Sequence, residues 1–360
     1  MLPYIILLLI PISLAAIKNI SQTGTSNYPT LKMRSRAIDG FMIVFLILLA
    51  CRGLMCGNDT IQYLRLYNEY NSYGWGDLFA KYYNVEIAYK LFNKFIGEIF
   101  NNFQVFLLIE SLICVLPLWY FYNKETENPL LTIALFVSVA PFVMYFSGIR
   151  QSIAISIGLI AWYAAKNKRI FRFLFLVLLA MLFHTSAFVL LVLYPLYHLR
   201  ITKKWLWFVV PAILVVYLFR EQLFDYIFRF LWKDYDEAYD TGAYMVLFLL
   251  VIFTIYSYVI PDNKLLDQDT IALRNILLLT IVIQIFAMLH PLSMRMNYYF
   301  LIFIPILIPK IANRGKTRWR EVCKLSIVVM IVFFMGYFLR DMIIDNDTLN
   351  IFPYIPYWNN

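Results

Sequence analysis

Apolar runs long enough to cross a membrane recur along this 360-residue sequence, with short charged connectors between them. Inside a bilayer the backbone must satisfy its own hydrogen bonds, so about 20 consecutive apolar residues are typical of a transmembrane α-helix. Only 15% of the residues are charged and 62% are hydrophobic. A soluble chain carries roughly a quarter charged residues. The sequence therefore predicts an all-α polytopic membrane protein in which residues 1–360 form a single integral membrane domain.

About twelve of these runs are predicted to be transmembrane helices. They are 2–17, 38–55, 101–122, 130–147, 149–165, 170–184, 185–199, 205–219, 244–260, 274–290, 296–310 and 322–339. Several lie near the lower limit of roughly 17 residues, so merged or re-entrant segments are an alternative. The regions 130–165 and 170–199 are the least clear, because each must turn within a few residues. Gly148 can supply one of those turns.

The charges around these runs predict their orientation. No basic residue precedes the first run, and Lys18 follows it, which predicts a retained span with its N-terminus outside and not a cleaved signal peptide. Every basic cluster then falls in the inner loops, as the positive-inside rule requires, and the C-terminus also lies outside. The net charge of +9 is thus mainly a topology signal. Because the basic residues are spread over separate loops, we expect no nucleic-acid partner.

Three long segments remain on the predicted outer face, and they are 56–100, 220–243 and 340–360. The first predicts two amphipathic helices at the membrane interface. One would align Asp59, Tyr63 and Tyr67, which are four residues apart, on a single face. The other begins near Glu86 and carries lysines on its polar side. The segment 220–243 is acidic and aromatic, and a substrate-specific lid and a solvated loop are both open interpretations.

Three arginines lie at the outer ends of predicted spans, namely Arg52, Arg150 and Arg295. A guanidinium keeps its charge in a protein, and placing that charge at membrane depth costs about 3 kcal/mol or more. Its planar fork of donors suits a diphosphate. The sequence therefore predicts that these arginines bind a substrate diphosphate. Simple snorkelling to the headgroups is the alternative, above all for Arg52.

Acid–base chemistry on the same face has three candidates, Asp59, Glu86 and His184. Any one of them could orient a hydroxyl nucleophile or take its proton, and the sequence does not choose among them. Further side chains at this level are predicted to contact the same substrate: Tyr63, Tyr67, Gln151, His290 and Tyr298. The alternative for the tyrosines is a structural collar at the headgroups, and His290 could instead cap a helix. The acids and cysteines show no metal-ligand spacing, so no metal site is predicted.

Six short stretches along nearly the whole chain form a recognisable ordered pattern. They are Gly57-Asn58-Asp59-Thr60 with Tyr63 and Tyr67, Glu86 with the helix after it, Gly148-Ile149-Arg150-Gln151-Ser152-Ile153-Ala154, Phe183-His184-Thr185-Ser186-Ala187, Arg295 with Asn297-Tyr298-Tyr299-Phe300, and Asn350-Ile351-Phe352-Pro353-Tyr354. In these stretches and their order, the sequence resembles the EpsG family, Wzy-like polymerases of bacterial exopolysaccharide and capsule synthesis.

The resemblance implies an enzyme of the bacterial cytoplasmic membrane that joins oligosaccharide repeat units on its outer face. The implied substrate is an undecaprenyl-diphosphate-linked oligosaccharide in the lipid bilayer, and the implied partners are a flippase and a chain-length regulator. The glycan part of this substrate would be bound by Tyr63, Tyr67, Gln151, His290 and Tyr298. The lipid diphosphate is the leaving group, so no cofactor is expected. Two other classes stay open at this stage. A transporter or flippase of lipid-linked sugars would show repeated halves, and none is evident in the sequence. A membrane O-acyltransferase would use an exposed histidine, for which His184 and His290 are available.

Overall fold

The structure, a computed structural model, describes residues 1–21, 35–79, 85–139, 141–231, 243–344 and 349–359. These residues are helical apart from turns and two isolated β-bridges. The α-helices are α1 (Leu2–Ser21), α2 (Arg36–Ala50), α3 (Thr60–Ser72), α4 (Ile87–Phe100), α5 (Phe103–Glu125), α6 (Pro129–Ser138), α7 (Met144–Ser147), α8 (Ile149–Lys166), α9 (Ile170–Phe183), α10 (Leu193–His198), α11 (Leu206–Leu218), α12 (Arg220–Leu231), α13 (Tyr244–Val259), α14 (Gln268–Ala287), α15 (Pro291–Leu301), α16 (Ile304–Asn313) and α17 (Arg320–Ile344). Short 3₁₀ segments are Asp77–Phe79, Thr185–Val192, Lys203–Trp205, Asn263–Leu265, Thr317–Trp319 and Tyr357–Asn359. The predicted all-α class is confirmed for this part of the chain.

Three of the described helical segments are long and apolar enough to cross a membrane alone, and they are Phe103–Glu125, Gln268–Ala287 and Thr317–Ile344. The number rises to five if each of two bent pairs is one span; these pairs are α11 with the start of α12, bent by 78°, and α15 with α16, bent by 45°. The count of about twelve spans stays a prediction. Other predicted spans are broken: the run 130–147 divides into α6 and α7, with Pro141 between them, and proline disfavours a continuous helix.

Polar contacts between helices gather at two opposite ends of the bundle. One end, called here the basic end, contains the C-termini of α5, α8 and α16 and the N-termini of α9 and α14. Its ion pairs include Lys310 Nζ with Glu125 Oε2 at 3.2 Å and Arg314 Nη2 with Asp267 Oδ2 at 2.8 Å. The other end, called the site end, contains α3, α4, the N-termini of α8 and α15 and the C-terminal segment 349–359. Helices that run between these ends place the candidate site residues together.

Helix α8 is central to the bundle, and most of its side chains are buried against α5, α9 and the segment Thr185–Val192. Close packing is possible because Gly158 faces Leu190; a Cβ at Gly158 would come within 3.0 Å of the Leu190 side chain. By contrast, α11 has no buried residue, and Trp207 is 82% exposed. An apolar helix that exposes its surface in this way is suited to face lipid. Because α8, unlike α11, is buried along most of its length, its packing fixes the position of Arg150 in its first turn.

The C-terminal segment lies along the beginning of the first outer segment. Backbone hydrogen bonds join Gly53 N to Ile355 O at 2.8 Å and Gly57 N to Asn350 O at 2.8 Å. Gly57 adopts φ +92°, and a Cβ there would lie 2.4 Å from the carbonyl oxygen of Phe146, so only glycine fits. The residues before α3 are thus fixed between the C-terminal segment and the turn that precedes α8.

Helices α3 and α4 pack against each other. The expected helices of the first outer segment are present, but the prediction that the lysines of α4 lie on its exposed polar side is wrong. Lys90 and Lys94 are buried, because this side of α4 covers α3 and its neighbours. Their ammonium groups donate to the carbonyl oxygens of Leu78 (3.5 Å) and Asn71 (3.3 Å). In 220–243 the structure describes α12, while the acidic residues of the predicted lid or loop at 232–242 lie outside the described residues.

Candidate functional site

Glu86 joins three segments at the site end. It precedes the first turn of α4, and its Oε2 accepts a hydrogen bond from Arg150 Nη1 of α8 at 2.6 Å. Its Oε1 lies 3.2 Å from His184 Nδ1, at the end of α9. The same oxygen accepts hydrogen bonds from the backbone N–H of Thr185 at 2.9 Å and from the Thr185 hydroxyl at 3.2 Å. Glu86, Arg150 and His184, predicted separately from the sequence, therefore form one cluster.

The electrostatics of this cluster favour an ionised carboxylate. Burial alone would raise the pKa of Glu86, but the hydrogen bond from His184, the charge of Arg150 and the N–H of Thr185 outweigh it. Together they lower the pKa of Glu86 to about 2. Glu86 is thus charged at neutral pH, and such a weakly basic carboxylate is poorly suited to accept a proton in catalysis.

The charge on Glu86 also decides the tautomer of His184. An ionised carboxylate can only accept hydrogen bonds, so Nδ1 of His184 must carry a proton. In the neutral imidazole, Nε2 is then the nitrogen that can accept a proton. The contact between Glu86 and His184 thus resembles the one by which a carboxylate orients a histidine in hydrolase triads.

Beside this cluster is a cavity of about 210 Å³. Seven of the predicted site residues line it, and these are Asp59, Tyr63, Arg150, Gln151, His184, Arg295 and Tyr298. Burial raises the pKa of Tyr63, and the neighbouring Arg150 opposes this rise. Arg150 has a buried Nε with no hydrogen-bond partner among the described residues, although its Nη1 is paired. The guanidinium thus has a donor left over after its ion pair with Glu86.

Arg295 reaches the same cavity from α15. The Gln151 side chain donates to the backbone carbonyl of Arg295, which ties α15 to the first turn of α8. The Arg295 side chain is exposed and makes no ion pair within the described part of the chain. Two arginines from different helices therefore border one water-accessible space, an arrangement that can bind a dianion.

Asp59 immediately precedes α3 and also lines the cavity. Its backbone N–H donates to the Ser147 hydroxyl at 3.3 Å, and its carboxylate makes no capping hydrogen bond to α3. The carboxylate is therefore available to the cavity as a second acidic group.

Four predicted site residues do not line the cavity: Glu86, which contacts the cavity residues Arg150 and His184, and three others that lie apart from it. Arg52 is fully buried and pairs with Glu110 Oε2 at 3.1 Å. Tyr67 is buried against Phe103 and Phe106. His290 accepts a hydrogen bond from the backbone N–H of Leu292 at 3.0 Å and so caps α15, which was the structural alternative for this residue. We therefore assign no substrate contact to Arg52, Tyr67 or His290.

Six residues of the cavity wall were not among the predicted site residues: Met144, Ser147, Gly148, Pro291, Met294 and Leu349. Ser147 is inconspicuous in an apolar run, and its contact with Asp59 reveals it. Leu349 belongs to the C-terminal segment, where its carbonyl accepts from Asn58 N at 3.0 Å. The signal that could have found Ser147 and Leu349 is their position, because each directly precedes a family-like stretch, which begins at Gly148 or at Asn350.

A comparison with protein-family models finds a match to the EpsG family over residues 40–357. The chain belongs to the EpsG family. The members are Wzy-like polymerases, so the resemblance seen in the sequence is confirmed, and the apolar helices agree with a membrane protein. The matched region contains Glu86, Arg150, His184 and Arg295, and EpsG membership points to exopolysaccharide-related polymerisation. Comparisons with curated proteins and with solved structures gave no match.

Proposed function

We propose that this EpsG-family protein polymerises oligosaccharide repeat units carried on undecaprenyl diphosphate, at the outer face of the bacterial cytoplasmic membrane. The observation that carries the proposal is the cavity where Arg150 and Arg295 meet the Glu86–His184 pair. The twelve-span topology, with both termini outside, is part of the proposal. It is supported by the separation of the site end from the basic end, because basic residues favour the cytoplasmic side.

The chemistry follows from the groups around the cavity. A sugar hydroxyl of the newly arrived unit attacks the anomeric carbon of the growing glycan, and the bond from that carbon to the diphosphate oxygen breaks. Arg150 and Arg295 bind the diphosphate and stabilise the negative charge that accumulates as it leaves. Nε2 of His184 accepts the hydroxyl proton. Glu86 orients His184 and Arg150 and does not touch the proton.

Asp59 is the alternative base, since its carboxylate borders the same cavity. The two candidates predict different variants to be inactive. If His184 is the base, His184→Ala should lose about 10²–10⁴-fold in rate, while Asp59→Asn should lose much less. A greater loss of rate in Asp59→Asn than in His184→Ala would instead identify Asp59 as the base. Tyr63, Gln151 and Tyr298 are proposed to contact the glycan from the cavity wall.

The test is polymerisation of a purified lipid-linked repeat unit by the isolated protein in lipid nanodiscs, read as a ladder of glycan lengths. We expect a ladder from the wild type and little extension from Arg150→Ala, Arg295→Ala or His184→Ala. Arg65→Ala is the matched arginine control, because Arg65 is exposed on α3 at the same end and does not line the cavity. His198→Ala at the basic end is the histidine control.

The proposal fails if the purified wild type does not extend the repeat unit. It also fails if Arg150→Ala and Arg295→Ala, at normal protein levels, still make wild-type lengths. A flippase would instead move lipid-linked units across the membrane without extending them. An O-acyltransferase would leave glycan length unchanged and alter only acyl content.

A further inference from the structure

A second cavity, of about 330 Å³, lies at the basic end of the bundle. It is bounded by the last turns of α5, by α8 and by the turn from α8 into α9. None of the candidate polymerase residues lines it. Its own residues include three cations, Lys124, Arg169 and Arg172, and two aromatic side chains, Tyr120 and Tyr163. No carboxylate is among the residues that border this cavity in the described part of the chain.

The aromatic residues fix the ammonium group of Lys124 at the cavity wall. Lys124 Nζ donates to the Tyr120 hydroxyl at 2.9 Å and lies 4.4 Å from the centre of the Tyr163 ring. Cation–π contact of this kind helps to keep a cation in place. The Lys124 ammonium therefore has a defined position at the cavity wall.

The turn between α8 and α9 fixes the second cation. Arg169 N donates to Ala164 O at 2.9 Å and Lys168 N donates to Ala165 O at 3.0 Å, which is the hydrogen-bond pattern of a Schellman helix end. Lys168 occupies the left-handed position of that turn, with φ 56°. Arg169 then directly precedes α9, where the helix dipole adds partial positive charge. The charge of the Arg169 side chain and the partial positive charge at the N-terminus of α9 thus lie close together.

The surroundings of the cavity identify the kind of anion. On α9, next to the cavity, Phe171 is 86% exposed and Phe175 is 64% exposed. On α5, a helix of membrane-spanning length, Tyr120 is 57% exposed at the cavity mouth. A cationic cavity that opens beside exposed apolar side chains at the end of a membrane-length helix matches a lipid, with its headgroup in the cavity and its chains along α9. A soluble phosphate would gain nothing from the apolar surface.

We infer that this cavity binds the phosphate of an anionic phospholipid, with Lys124, Arg169 and Arg172 as its ligands. Basic pockets between membrane helices are suited to anionic headgroups, because each nearby cation adds about fivefold in affinity, which is ~1 kcal/mol. The site is separate from the polymerase cavity, at the opposite end of the bundle. The inference is independent of the proposed reaction.

The test measures binding to the purified full chain in detergent by native mass spectrometry, with phosphatidylglycerol, with phosphatidylcholine of the same acyl chains, and with inorganic phosphate. We expect phosphatidylglycerol to bind and the other two to bind at least tenfold more weakly. Lys124→Gln and Arg169→Gln should each weaken phosphatidylglycerol binding by about fivefold, and the double variant by at least tenfold. Arg172→Gln, a substitution at an exposed position, provides a third variant if either of the others does not fold.

Lys168→Gln is the matched control, because it removes a positive charge from the same turn at a residue that does not line the cavity. Its affinity for phosphatidylglycerol should change less than twofold. Equal binding of phosphatidylcholine, or equal losses in Lys168→Gln and Arg169→Gln, would overturn the inference. Competition by inorganic phosphate at concentrations equal to the lipid would assign the cavity to a soluble anion and would also overturn it.

Discussion

The sharpest prediction concerns Glu86→Gln, which keeps the size of the side chain and removes its charge. In the structure this carboxylate accepts hydrogen bonds from Arg150, His184 and Thr185 at distances between 2.6 and 3.2 Å. A glutamine has one acceptor oxygen, and its NH₂ group would face a donor wherever it is placed. The substitution should therefore release both the His184 tautomer and the position of Arg150.

The pKa of Glu86 gives the magnitude. A carboxyl whose pKa falls from 4.5 to about 2 on folding contributes ~3 kcal/mol of stability at neutral pH. Because the folded pKa is the lower one, this contribution is present above pH ~4.5 and is lost as the pH falls towards 2. It should be ~3 kcal/mol at pH 5 and roughly half of that at pH 3. The stability gap between wild type and Glu86→Gln should therefore narrow on acidification.

Two assays check this reasoning. Denaturant titration in detergent at pH 7, 5 and 3 measures the free energy of unfolding, and the nanodisc assay measures polymerisation. We expect Glu86→Gln to polymerise at least 10²-fold more slowly, since a base that loses its orienting carboxylate loses up to about 10⁴-fold. Glu98→Gln is the control, because Glu98 is a more exposed carboxylate on the same helix, and its pair with Lys94 has a 3.0 Å separation. Wild-type polymerisation by Glu86→Gln, or a stability gap that is constant between pH 7 and 3, would refute the assigned role.

Three further predictions concern residues outside the reaction. Arg52→Ala should destabilise the fold by about 3–5 kcal/mol because it leaves Glu110 buried and unpaired, whereas replacing both residues by leucine should cost much less; unfolding titrations compare the two. Gly57→Ala should lower the free energy of unfolding by about 2–3 kcal/mol, because the new Cβ would meet the Phe146 carbonyl. It should also shorten the glycan, because the start of α3 would be displaced. A normal unfolding midpoint would contradict this prediction. His290→Ala should lower the free energy of unfolding by about 1 kcal/mol, because it removes a helix cap, and should keep wild-type glycan length. A loss of polymer at normal protein levels would show that His290 contacts the substrate after all.

The candidate site was predictable to the extent that its residues interrupt apolar sequence. Arg150 and His184 stand out for this reason, and both reach the cavity. Arg52 stands out equally but is neutralised by Glu110, which is 58 residues away. Tyr67 has the helical spacing of Tyr63 but turns into the packing between α3 and α5. The local sequence shows that a polar group within an apolar run is energetically costly. It does not show which distant residue compensates for that cost.

By itself, the sequence determined that this chain is helical and apolar like a membrane protein, because apolar length is a local property that every folded arrangement must satisfy. The order of its short motifs identified the EpsG family. Tertiary structure alone decided that Glu86 belongs with Arg150, 64 residues further along, and with His184. That contact exists because α4 packs on α5 and α9 while α8 lies in the centre, and no local pattern encodes such distances. The same reasoning explains the lysines of α4, which look solvent-exposed from their spacing and are buried because α3 lies over them.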